Sequence, residues 1–136
     1  DGNYNGQWDA VCYINIGFDF PFYGDSFSEI FINPNGWVGF GEDNDEWDNQ
    51  SIFDDDSPRN AIFGYWDDLN PVSNDNEVGE GYVRYHSNSD RMVILYDDVI
   101  HWTDNDIRFN FQIVLYPSGE IKINYKKIDY GRNKIN

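Results

Sequence analysis

Apolar and polar residues alternate with a period of two along nearly the whole chain, and no stretch carries a helical period. In an extended strand successive side chains point to opposite faces, so each such segment has one face to bury and one to wet. Cys12, Ile14 and Ile16 alternate with Val11, Tyr13 and Asn15, and Ile30 and Ile32 take the face opposite Phe31. Asn35-Gly36 then supplies a tight hairpin turn, because both residues tolerate positive φ, and Trp37-Val38-Gly39-Phe40 returns from it. The apolar run Ala61 to Trp66 predicts a strand buried on both faces or in a sandwich core. Tyr82 to His86 is expected to pair with Met92 to Tyr96 across Asn88-Ser89-Asp90. Phe109, Phe111, Ile113 and Leu115 alternate with Arg108, Asn110 and Gln112, and Pro117-Ser118-Gly119 turns the chain into Ile121, Ile123 and Tyr125. About eight strands at this spacing predict an all-β fold, an antiparallel, jelly-roll-like β-sandwich of two sheets.

Single residues refine that expectation. Pro21 fixes its own φ and is expected to end the first strand. Gly24 and Gly36 are expected at turns closed to other residues. Trp37 and Trp66 lie in apolar runs and are expected in the core, each with an acceptor for its indole N–H. Of the adjacent Asp67 and Asp68, one is expected to cap a turn and the other to face solvent or a cation. Cys12 is the only cysteine, so no internal disulfide can form, and its place in an alternating run reads as a half-buried core thiol.

The chain of 136 residues is long enough for one domain with a real core, and residues 1–136 read as a single module, a fragment of or repeat in a larger protein. An aromatic share of 18% argues against disorder. No apolar run approaches the ~20 residues of a membrane span, so membrane insertion is not expected. Asp1-Gly2-Asn3-Tyr4 has neither the basic start nor the apolar stretch of a signal peptide. There are 25 acidic residues against 9 basic ones, a net charge of −16. Such a surface repels nucleic acid and anionic lipid, and it suits divalent cations, neutral glycans or a salty medium. Solubility alone would also account for it.

Catalysis finds little support. The two histidines, His86 and His101, lie in neither a His-Glu-x-x-His nor a Gly-x-Ser-x-Gly setting. Paired carboxylates could serve a glycosidase, but with 25 acids a pair is certain to occur and distinguishes nothing. The expectation is a non-enzyme.

Three irregular stretches, Gly41 to Arg59, Asn70 to Gly81 and Asp97 to Ile107, are rich in Asp, Asn and Glu. Long loops in a compact domain are commonly functional. The run Glu42 to Asn49 is the densest in oxygen donors, and calcium takes six to eight oxygens without strict spacing. Asp43, Asp45 and Asp48, with Asp75 and Glu77 and with Asp104 and Asp106, are the candidate calcium ligands. None of the three clusters has the EF-hand spacing, and each reads equally as a solvated acidic loop. Trp47 and Trp102 stand among charged residues, where a core role is hard to arrange, and with Tyr4 and Trp8 they are the candidate glycan-stacking rings. The alternative is that each indole folds back over the sandwich edge.

The motif order Phe20-Pro21-Phe22-Tyr23-Gly24, Ile32-Asn33-Pro34-Asn35-Gly36-Trp37-Val38-Gly39-Phe40-Gly41, Ala61 to Pro71 and Phe111 to Gly119 resembles β-sandwich modules of secreted bacterial peptidases and surface proteins, notably those of the type IX secretion route. It also resembles, more distantly, nidogen-like and plexin-domain-containing extracellular regions. The resemblance runs from about Ile14 to Tyr130 and implies an extracellular or cell-surface location. Together these features predict a binding or adhesion module that recognises carbohydrate, with calcium as the implied cation and a glycan or an extracellular protein as partner. The alternative is a structural subunit that self-assembles by strand addition or cation bridges. Family members continue past the Tyr125 to Ile128 strand into a further apolar one, whereas here the segment Tyr130 to Asn136 is polar. Three ways to fill that edge stay open: the segment Tyr4 to Val11, a strand elsewhere in a longer protein, or a strand from a neighbour.

Overall fold

The structure, a computed structural model, describes residues 2–3, 12–41, 45–72 and 78–129. Among these, ten strands and no helix occur: β1 (Gly2–Asn3), β2 (Cys12–Phe22), β3 (Asp25–Asn33), β4 (Trp37–Gly39), β5 (Ala61–Phe63), β6 (Leu69–Asn70), β7 (Tyr82–Ser87), β8 (Met92–His101), β9 (Asp104–Leu115) and β10 (Ile121–Ile128). One sheet has the order β1-β7-β8-β9-β10, with β6 also paired to β8, and the other has the order β2-β3-β4-β5. All pairings are antiparallel. The eight expected strands are present. The two additional ones, β1 and β6, are two residues each, too short to carry a period.

The alternation explains the core. Ile16, Phe20, Ile30, Ile32, Val38 and Phe40 point inward from the four-stranded sheet to meet Val83, Ile94, Tyr96, Phe109, Phe111, Ile113 and Leu115 from the other. Fully burying side chains of this size stabilises the fold by roughly 1.5–3 kcal/mol each relative to exposure.

The outer face of the four-stranded sheet is also covered. Tyr13, Phe31, Trp37 and Phe63 come one from each strand, and their rings follow one another at 5.8, 5.4 and 6.0 Å; Trp66 then stacks on Phe63 at 4.8 Å. The Phe31 ring lies across Gly39, where a Cβ would come within 2.2 Å of it. Residues 31–40 are consequently buried on both faces.

Three expectations are corrected. Pro21 lies inside β2, opposite Ser26, and does not end the strand. Among the described residues β2 is the edge of its sheet, where one side of the backbone has no ladder partner and proline is tolerated. The stretch Asp97 to Ile107 is not an irregular loop: β8 runs to His101, β9 starts at Asp104, and only Trp102-Thr103 turn between them. A bulge at Asp97-Asp98 hid the strand, because Tyr96 pairs with Phe111 but Val99 with Phe109. Asp98 takes φ 58°, Asn110 Oδ1 accepts its N–H at 3.0 Å, and Arg108 bridges its carboxylate (3.6 Å) and that of Glu80 (2.5 Å). Finally, β5 ends at Phe63, because Gly64 bends toward the hairpin described below.

The bulge divides one side of β8 between two partners, β7 over Met92 to Asp97 and β6 over Ile100 and His101. The chain joining β6 to β7 is closed at its base, with Val72 N–H donating to the Gly81 carbonyl (3.0 Å) and Glu80 N–H to the Asn70 carbonyl (3.1 Å). At the opposite edge of this sheet β10 pairs only with β9 among the described residues. The segments Tyr4 to Val11 and Tyr130 to Asn136, and the Cys12 side chain, lie outside the described residues.

Candidate ligand-binding site

The turn between β3 and β4 organises one end of the sandwich. Asn33-Pro34-Asn35-Gly36 makes the expected hairpin, but it is buried. Buried polar groups must be partnered, and the turn recruits partners from far along the chain. Asn33 Oδ1 accepts the Asn35 N–H at 2.8 Å, and Asn35 Oδ1 accepts the Leu69 N–H at 3.0 Å. The Gly36 carbonyl accepts the N–H groups of Gly64 and Tyr65, both at 3.0 Å, and the Asn35 carbonyl that of Asp67 at 3.3 Å. The Tyr96 hydroxyl lies 2.6 Å from the Asn33 carbonyl and 3.2 Å from that of Trp37. Gly36 has φ 88°, and a Cβ there would stand 1.8 Å from the Tyr65 oxygen, so this close approach requires glycine.

The gripped segment, residues 64–69, then leads outward and holds two others. The Asn49 side-chain amide donates to the Trp66 carbonyl at 3.1 Å, and the Trp102 N–H donates to the Asp68 carbonyl at 2.9 Å. Trp47 and Trp102 therefore stand on segments bonded to the same short stretch, 66–68. They are 48% and 39% exposed. The Trp37 indole N–H donates to the Glu46 carbonyl at 3.1 Å, which fixes the start of the Trp47 segment against the outer face of the sheet.

Polar groups flank Trp66 and Trp102 along the chain. Asp67 Oδ1 accepts the Asp68 N–H at 3.0 Å, the expected turn cap, and stands 3.5 Å from His101 Nε2. His101 Nδ1 accepts the Thr103 N–H at 3.1 Å, which leaves the neutral ring's proton on Nε2, facing Asp67. The Trp66 indole nitrogen is buried, and no hydrogen-bond partner accompanies it among the described residues, contrary to expectation; Gln50 Nε2 is in the same condition. Half-exposed aromatic faces can stack on the C–H faces of a sugar ring, while carboxylates and carbonyls accept its hydroxyl protons.

A family model described as NIDO related matches residues 4–135, nearly the whole chain. The chain belongs to the NIDO-related family. No curated protein matches it, and no solved structure does. NIDO-related modules are typically extracellular and form a non-enzymatic module family, and the match bears out the nidogen-like part of the resemblance.

On this NIDO-related sandwich, Trp47 and Trp102 stand on segments that both bond to residues 66–68. Tyr4, Trp8, Asp43, Asp75 and Glu77 lie outside the described residues. Asp45 and Asp48 are exposed beside Trp47, with the Asp48 N–H donating to Glu46 Oε1 at 3.0 Å. Asp104 and Asp106 are exposed at the start of β9, where Asp104 Oδ1 accepts the Asp106 N–H at 3.0 Å. Among the described residues no three His, Cys, Asp or Glu side chains group so as to hold a metal ion. Sequence reasoning missed the Asp67–His101 pair and the buried asparagines. The available signal was Asn33 and Asn35 set within an otherwise apolar run.

Proposed function

We propose that this extracellular module is a non-catalytic recognition and adhesion domain that binds neutral carbohydrate across Trp47 and Trp102. The observation that carries the reading is that these two half-exposed indoles stand on separate segments, each hydrogen-bonded to the stretch 66–68. Rings held in advance lose less freedom on binding than rings on loose loops. A net charge of −16 favours uncharged over anionic polysaccharide. His101 turns both ring nitrogens to groups of the protein, Nδ1 to the Thr103 N–H and Nε2 to Asp67, which ties the β8–β9 turn to the stretch 66–68. Calcium enters this proposal through the acid density of Glu42 to Asn49.

Affinity electrophoresis through gels containing neutral polysaccharides tests the reading. The wild type is retarded by at least one of them, and Trp47→Ala and Trp102→Ala each abolish the retardation while the melting temperature stays within a degree or two. Retardation unchanged in both variants would move the site elsewhere.

A further inference from the structure

A second surface goes beyond the proposed glycan site. The loop Ser51 to Ser57 presents Ile52 and Phe53 to solvent at 59% and 86% exposure. Its backbone is cross-bonded: Asp54 N–H donates to the Ser51 carbonyl (2.9 Å), Ser57 N–H to the Asp54 carbonyl (3.2 Å), and the buried Ser57 hydroxyl to the Ser51 carbonyl (2.6 Å). The two apolar side chains are therefore displayed by a closed loop. Asp54, Asp55 and Asp56 follow them directly, and Arg59 reaches Asp55 only at 4.0 Å.

The same chain carries a surface of opposite character. β10 is a sheet edge among the described residues. It exposes Ile121 and Tyr125, the latter 54% exposed with its hydroxyl donating to the Gly64 carbonyl at 2.5 Å, so the ring is held in place. Lys122, Lys126 and Lys127 lie on the same strand but not on the same face: Ile121 and Tyr125 oppose the core residues Leu115 and Phe111, whereas Lys122 opposes Val114, Lys127 opposes Asn110, and Lys126 sits in the bulge after Tyr125. Lys122 pairs with Glu120 at 3.2 Å and lies 5.0 Å from the centre of the Tyr116 ring, Lys127 pairs with Asp129 at 2.8 Å, and Lys126 has no ion pair among the described residues. The loop is apolar and acidic, and the strand edge is apolar on its core-side face and basic on its outer face, on a molecule that is otherwise strongly acidic.

We propose that the Ser51–Ser57 loop of one molecule docks over the β10 edge of a second copy of this chain, Phe53 on the face that carries Ile121 and Tyr125, and the aspartates reaching around the edge to the three lysines on the other. Copies at −16 repel at long range. At ~0.15 M salt that repulsion is screened beyond ~8 Å while contact pairs persist, so the test belongs there.

Sedimentation velocity between ~10 μM and ~1 mM, the range for weak self-association, should show the average mass rising above the monomer. Phe53→Ser should weaken association at least tenfold with no change in melting temperature. Two charge-reversed chains make the decisive pair: one carries Asp54→Lys, Asp55→Lys and Asp56→Lys, the other Lys122→Glu, Lys126→Glu and Lys127→Glu. Each alone juxtaposes like charges and should stay monomeric. Mixed, each loop faces a strand of opposite sign, and association should return. A wild type that is monomeric throughout, a Phe53→Ser chain that associates normally, or a mixture of folded reversed chains that stays monomeric would each overturn the proposal.

Discussion

Replacing Gly36 by alanine tests whether the buried hairpin turn holds the candidate site together. Two costs are legible in the structure. Alanine at φ 88° leaves its favoured regions, at roughly 1–2 kcal/mol. Its Cβ would also stand 1.8 Å from the Tyr65 oxygen, so residues 64–65 must withdraw and give up the hydrogen bonds from Gly64 and Tyr65 to the Gly36 carbonyl. Losing these two costs about 1 kcal/mol each. The expected destabilisation is ~3–4 kcal/mol, a large part of the ~5–15 kcal/mol that holds a domain together. Gly24 provides the control, with φ 90° and nothing within 4 Å of a Cβ. Gly24→Ala bears the conformational cost alone and should lose ~1–2 kcal/mol. Urea unfolding followed by tryptophan fluorescence measures both, with unchanged m-values showing that the midpoint shift reports stability. If Gly36→Ala costs no more than Gly24→Ala, residues 64–69 are not gripped by the turn, and the argument that places Trp47 and Trp102 on a common support fails.

Tyr96→Phe removes the buried hydroxyl facing the Asn33 and Trp37 carbonyls and should cost ~1–2 kcal/mol in the same assay; a loss below ~0.5 kcal/mol would mean those carbonyls are satisfied without it. Tyr23 takes φ 47° at a hairpin tip while 92% exposed, so its strain is not offset by burial. Tyr23→Asn should raise stability by ~0.5–1 kcal/mol, and a fall would show that the ring packs on Phe22 more strongly than its exposure suggests. Millimolar calcium should raise the melting temperature relative to chelator, since a ligand bound at 100 times its dissociation constant contributes ~2.7 kcal/mol to the native state; equal melting temperatures would remove the cation from the proposed function.

The fold was legible wherever alternation ran unbroken. Ile30, Ile32, Val38, Phe111 and Ile113 announced their inward faces by spacing alone. Legibility failed where a local device interrupted the period. The Asp97-Asp98 bulge shifts the pleat within β8, and the exposed Asp104 to Asp106 look like a loop because they project beyond the core on a hairpin. At the candidate site, Trp47 and Trp102 stood out as indoles among charges, but their shared support did not. It arises from Asn49 bonding to Trp66 and Trp102 to Asp68, contacts between residues 17 and 34 positions apart. Asn35-Gly36 announced a turn; only the packing of the second sheet shows that this turn is interior, with Asn35 reaching Leu69.

The closed base of the chain between β6 and β7 has a consequence for how this sandwich can vary. The bonds Val72 to Gly81 and Glu80 to Asn70 fix the spacing of the two strands whatever the chain does beyond them. Residues inserted between Val72 and Val78 leave both of these bonds in place, and the closure entropy of a connection grows only slowly with its length. That position is a natural graft point, where a foreign peptide or a whole domain could be spliced in without breaking either sheet.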